Sequence, residues 1–85
     1  RQMSYSTAEA RIRGALLQLS RKHGVADSRG VIIDLKVTHQ ELAEMVGTSR
    51  ETVTRTLARL QEQSIILVEH RRIVVLNPKA LVSVC

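Results

Sequence analysis

Residues 38–63 read THQELAEMVGTSRETVTRTLARLQEQ, and two helix starts are written into this stretch. Thr38 and Glu41 have capping-box spacing: the Thr hydroxyl accepts the amide of the third helical residue, and the Glu side chain returns to the Thr amide. Such a cap stabilises a helix start by about 1 kcal/mol. Leu42 and Val46, four apart, give this helix one buried face, and Gly47 suits the left-handed position that ends it. Ser49 caps a further helix, whose Val53, Leu57 and Leu60 form a core stripe through to about residue 63. Ala43 is small where the two helices must cross, Gly47 follows in the turn, and Val53 packs back. Two capped helices joined through Gly47-Thr48 predict a helix-turn-helix unit. Many such units have a larger apolar group where Thr56 stands, so its methyl is expected to be half-buried at a small cost in stability.

Upstream, Val31, Ile33, Leu35 and Val37 alternate with Ile32, Asp34 and Lys36, which predicts a short strand. Gly24, Asp27, Ser28 and Gly30 mark residues 24–30 as a loop. Ser6-Thr7-Ala8-Glu9 has capping-box form, and Ile12, Leu16 and Leu19 follow at helical spacing, giving a first helix over about 7–23. Downstream, Ile65 to Val68 and Arg72 to Leu76 are β-rich runs around a polar Glu69-His70-Arg71 tip. They read as a hairpin, although its tip carries neither Asn-Gly nor Asp-Gly. Asn77-Pro78 is an N-cap and first-turn pair for a short helix over 78–84. The expected fold is α+β, a winged helix-turn-helix: three helices, a short strand and a β-hairpin wing, and a short C-terminal helix. It occupies 1–85 as one domain, with the helix-turn-helix at about 38–63 and the wing at about 65–76.

The composition narrows the partner. A chain of 85 residues builds one core and leaves little room for an enclosed catalytic cleft. Thirteen Lys and Arg against eight Asp and Glu give +5, which favours an anionic partner, a phosphate backbone or membrane headgroups. No apolar run approaches the roughly 20 residues needed to span a bilayer, and no signal peptide is recognisable, so a cytoplasmic protein is expected. Readers of single strands stack bases on aromatic rings, yet here there is one Tyr, at position 5, and no Phe or Trp. A duplex fits better. The lone cysteine, Cys85, excludes an internal disulfide and a Cys-based metal site. His23, His39 and His70 share no metal-ligand spacing; His23 suits a helix C-terminus, and His39 is expected to be exposed in a first turn. Residues 24–30 lack the Lys-Ser or Lys-Thr pair of a phosphate loop, and no nucleophile, base and orienter assemble. No enzyme is expected, and no metal.

At about 100° per residue, Arg50, Glu51, Thr54, Arg55 and Ala58 share the face of the third helix opposite its core stripe. Arg50 stands where the helix dipole prefers an anion, a placement that a guanine edge would offset. An Arg fork matches guanine O6 and N7, and a Glu accepts from cytosine N4. Arg50, Glu51 and Arg55 thus form a candidate G·C-reading set; the alternative is a solvated face with an ordinary Glu51–Arg55 pair. Thr38, Gln40, Ser49, Thr52 and Thr54 are candidate phosphate donors, with cap or surface roles as the alternative for each. His70, Arg71 and Arg72 at the hairpin tip would suit a wing over phosphates, or a plain solvated turn. The competing function is a winged-helix protein-interaction module, whose sign would be an apolar outward face on the third helix.

The segment VTHQELAEMVGTSRETVTRTLARLQEQSIILVEHRRIVVLNP resembles the DNA-binding domain of the CRP/FNR superfamily of bacterial transcription regulators, and the likeness extends over nearly the whole chain from about Thr7. IDLKVTHQELAE and the Asn-Pro-x-Ala-Leu ending are also similar to cyanobacterial nitrogen-control regulators. The resemblance implies sequence-specific binding of double-stranded DNA at TGTGA-type half-sites, with Arg50, Glu51 and Arg55 as base readers and Ser49 and Thr52 on phosphates. It further implies a C-terminal domain of a homodimeric parent. There a preceding sensor domain takes a cyclic nucleotide or other effector, and none binds in this domain. Residues 24–30 would then lie near the surface that family activators offer to RNA polymerase.

Overall fold

The computed structural model describes residues 7–82. Ile12, Leu16 and Leu19 are buried along one side of α1 (Thr7–His23), the first helix, where their spacing predicts them. The expected N-cap residue Ser6 lies outside the described residues, and Glu9 also makes bonds that reach beyond its own turn. The carboxylate is buried and bonded to both Arg13 and Arg59, while Arg13 Nη1 donates to the Ala80 carbonyl at 2.6 Å.

Residues 24–30 are not a loop. The chain leaves α1 directly into β1 (Gly24–Asp27), turns at Ser28-Arg29 and returns as β2 (Gly30–Ile33). Gly30 carries no side chain because it lies against β4 (Arg72–Val75): a Cβ there would stand 2.1 Å from the Val75 carbonyl oxygen. Close packing of backbone, and not only turn formation, explains that glycine. β2 pairs antiparallel with β4, Val31 opposite Val75 and Ile33 opposite Ile73. β3 (Ile66–Glu69) pairs with the other edge of β4, so the sheet runs β1-β2-β4-β3.

The strand expected through Val37 stops at Ile33. Continuing the register would set Leu35 against the turn at His70-Arg71, where no strand lies opposite. Instead Asp34 N donates to the His23 carbonyl at 2.8 Å and Leu35 is exposed. The turn itself succeeds without glycine: His70 and Arg71 have φ of 52° and 63°, the two consecutive positive values of a tight two-residue hairpin.

Between the hairpins lie α2 (His39–Val46) and α3 (Arg50–Glu62), which pack on each other with Ala43 and Val53 both buried. Leu42, Leu57 and Leu60 join Ile12, Leu16 and the inward residues of the sheet in one core. Thr56 is buried in it, not half-buried, because its position on α3 falls between the core stripe and α1. A single turn, α4 (Pro78–Leu81), closes the described chain by inserting Leu81. Asn77 makes no side-chain cap bond, so Pro78 alone supplies the helix start. Ser83 and Val84 of the expected 78–84 helix lie outside the described residues. No helix among them is long and apolar enough to cross a membrane.

Candidate nucleic-acid interface

α2 begins as its sequence dictates. Thr38 Oγ1 accepts from Glu41 N at 2.9 Å, and Thr38 N donates to Glu41 Oε1 at 2.9 Å. Gly47 ends the helix in the left-handed region, at φ 79°, with its amide on the Ala43 carbonyl at 2.8 Å. No spacing pattern points to Arg11 here, yet its Nε donates from α1 to the Val46 carbonyl at 2.8 Å. A cation thereby sits at the negative end of α2 and ties it to α1.

Ser49 starts α3 by accepting from Thr52 N at 3.1 Å, and its hydroxyl bonds that of Thr52 at 2.9 Å. The cap therefore sets both hydroxyls at the helix N-terminus, beside the free amides of the first turn. Arg50, Glu51 and Arg55 stand exposed on the outward side of the same helix. None of the three has a hydrogen bond or ion pair among the described residues, and the ordinary Glu51–Arg55 pair does not form. Ala58 is exposed beside them and leaves the face flat.

Thr54 is exposed on this face but already bonded: its Oγ1 lies 2.8 Å from His39 Nδ1. His39 is thus half-buried and engaged, where the sequence suggested an exposed first-turn residue. The contact joins the two helices of the motif across fifteen positions. Spacing along either helix alone carries no signal for it. Gln40 Nε2 donates to Glu44 Oε2 at 3.1 Å along the outer side of α2.

On the wing, Arg71 is exposed and without a partner among the described residues, while Arg72 Nε turns back to Asp34 Oδ1 at 3.1 Å. Gln61 Oε1 accepts from Val68 N at 2.8 Å and fixes β3 to the end of α3. Between wing and α3 is a cavity of about 370 Å³ whose lining includes the apolar Leu57, Val68 and Ile73 and the polar Lys36, His39 and Arg71. Lys36 went unread as a site residue; its only signal was a charge two positions before a helix cap.

At the β1–β2 turn, Arg29 bonds Asp27 at 2.8 Å and Glu69 at 2.9 Å, so the turn is tied to the wing. Hydrogen bonds from Arg29 hold both carboxyls below their ordinary range, and those to Glu69 and Asp27 raise the guanidinium. Among the described residues no three His, Cys, Asp or Glu gather as a metal would require.

The arrangement is a helix-turn-helix with a free polar face on its second helix and a hairpin beside it. Residues 10–84 match the Crp-like helix-turn-helix domain. The chain belongs to that family. It is 44% identical over 72 residues to the global nitrogen regulator of Synechococcus elongatus, covering 85% of this chain and 32% of that protein. To the nitrogen fixation regulation protein FixK of Azorhizobium caulinodans it is 35% identical over 75 residues, 87% of this chain and 30% of that one. The fold superposes on the CO-dependent transcription factor CooA of Carboxydothermus hydrogenoformans with a TM-score of 0.81 at 26% identity, covering 88% of this chain and 35% of CooA. With the catabolite activator protein of Thermus thermophilus the TM-score is 0.70 at 34% identity, over 87% and 32%. The Crp-like chain spans about a third of the length of such relatives. They are regulators of transcription, and this domain is a DNA-binding module, not an enzyme.

Proposed function

We propose that this Crp-like domain binds duplex DNA sequence-specifically, with α3 seated in the major groove, and that it serves a transcription regulator acting as a homodimer. The observation that carries this reading is the outward face of α3. Arg50, Glu51 and Arg55 are exposed there without partners among the described residues, so their hydrogen-bonding capacity is held for a ligand. Two Arg forks and one carboxylate match guanine O6/N7 and cytosine N4, the edges offered by a TGTGA-like half-site. Ser49 and Thr52, with Thr38 and Gln40, lie where α2 and α3 start and serve the flanking phosphates. Arg71 reaches a phosphate from the wing, while Arg72 adds charge that Asp34 partly offsets.

The charged face disfavours an interaction module, which would present apolar residues there. In the parent, an effector such as a cyclic nucleotide belongs to a separate sensor domain, and the β1–β2 turn at Asp27 and Arg29 offers a surface to RNA polymerase. Selection from random duplexes at low salt tests the central reading. The expected result is enrichment of a G·C-containing half-site, with affinity that falls steeply between about 50 and 200 mM salt. Recovery of unenriched sequence, or near-constant affinity across that range, overturns it.

A further inference from the structure

Thr54 stands on the face that meets DNA, yet its hydroxyl is not free to choose its role. His39 Nδ1, from the first turn of α2, lies 2.8 Å from Thr54 Oγ1. A hydroxyl has one proton to donate and lone pairs to accept, so what Thr54 offers outward depends on which partner supplies the hydrogen between it and the ring. When Nδ1 is bare it accepts a hydrogen bond from the Thr54 hydroxyl, and only acceptor lone pairs face the groove. When Nδ1 carries hydrogen it donates to Oγ1, and the Thr54 O–H turns outward as a donor. In imidazolium both ring nitrogens carry hydrogen, so protonation makes the second arrangement obligatory.

We propose that His39 is a positioning residue for base recognition: through Nδ1 it sets whether Thr54 presents a donor or an acceptor to the major groove, and it makes the preference at one base pair depend on protonation. The inference rests on the seating of α3 proposed above. It assigns His39, which touches no base in this scheme, a role through its neighbour. The charged groups around the ring come from four elements. Lys36 precedes α2 and Arg71 belongs to the wing; both line the same cavity as His39. Glu51 and Arg55 flank Thr54 on α3, and Glu41, in the ring's own helix, is turned to the Thr38 amide. An outward donor favours guanine N7/O6, adenine N7 or thymine O4, whereas an outward acceptor favours the cytosine or adenine amine.

The test is a binding-site matrix measured with the whole chain at about pH 5.5 and about pH 8, on either side of the imidazole range. One base pair is expected to change preference by about threefold to tenfold, the worth of a single hydrogen bond, towards acceptor-bearing bases at the lower pH. His39→Gln keeps a bonding group beside Thr54 but does not titrate, and should abolish the shift while duplex binding persists. Thr54→Val removes the hydroxyl on an exposed site, leaves the fold intact and should abolish both the shift and the preference at that pair. His23→Gln, at the C-terminal end of α1 and outside the proposed interface, should change neither. A wild-type matrix identical at both pH values overturns the proposal, as does a shift that survives in His39→Gln or Thr54→Val. A uniform rise in affinity at low pH without a change in preference also overturns it, because the ring would then act only as a charge. Failure to bind any duplex would instead remove the seating of α3.

Discussion

The carboxylate of Glu9, in the first turn of α1, is bonded to the guanidinium of Arg59 on α3, fifty residues later. Its other oxygen holds Arg13 at 3.1 Å, and Arg13 in turn reaches α4 through the Ala80 carbonyl. One buried side chain therefore fixes three helices, α1, α3 and α4. Glu9→Ala removes the carboxylate and leaves the buried Arg13 charge behind, a loss of about 3 to 5 kcal/mol. Urea unfolding measures it, and a loss under about 1 kcal/mol would show that the network is decorative.

Thr56 is buried among apolar side chains, and its hydroxyl has no hydrogen-bond partner among the described residues. Val has nearly the same shape and a similar helix propensity. Thr56→Val should therefore stabilise the domain by about 1 kcal/mol, a rise of roughly 4 to 8 °C in melting temperature for a chain of this size. An unchanged or lower melting temperature would mean that the hydroxyl is satisfied.

Glu51→Val removes an acceptor from the reading face without removing positive charge. Preference at one base pair should broaden or shift by about 1 to 3 kcal/mol, while non-specific affinity stays equal or rises slightly. The readout is a binding-site matrix; one indistinguishable from wild type at every position would remove Glu51 from the base-reading set.

Arg71→Ala should act oppositely. Its guanidinium is exposed on the wing beside the reading helix, so its loss should weaken all duplexes alike and reduce the salt slope by about one. Affinity titrations over a salt series decide this, and an unchanged slope would place the wing away from the backbone.

Arg29 couples the β1–β2 turn to the wing, and the sign of its pH effect follows from the carboxyls it holds. Asp27 and Glu69 are both below their ordinary range in the folded chain. The unfolded chain thus binds more protons as pH falls, so the stabilisation is present above the ordinary carboxyl value and lost as pH drops through the folded values. Arg29→Ala should melt below wild type at neutral pH, and the gap should close below about pH 4. A gap that persists in acid would point to packing instead of charge.

The helix-turn-helix was legible in the sequence because its determinants are local. Thr38 with Glu41, Gly47, and Ser49 with Thr52 each act within four residues, and the 3.6-residue period of Val53, Leu57 and Leu60 defines the opposite face as outward. Arg50, Glu51 and Arg55 follow from that geometry alone. What required the tertiary structure is everything that joins distant segments. β1 and β2 exist because β4 supplies a pairing edge, which outweighs the turn-like composition of residues 24–30, and β2 stops where β4 gives way to the His70-Arg71 turn. Glu9 has a second use as a buried strut that no spacing announces, since only packing brings Arg59 beside it. His39 looked solvated and is bonded to Thr54 because the packing of α2 on α3, with Ala43 and Val53 buried, brings the two side chains together. Periodicity and capping report a residue's neighbours within a turn or two; the partner of a polar side chain fifteen or fifty residues away is fixed only when the core closes.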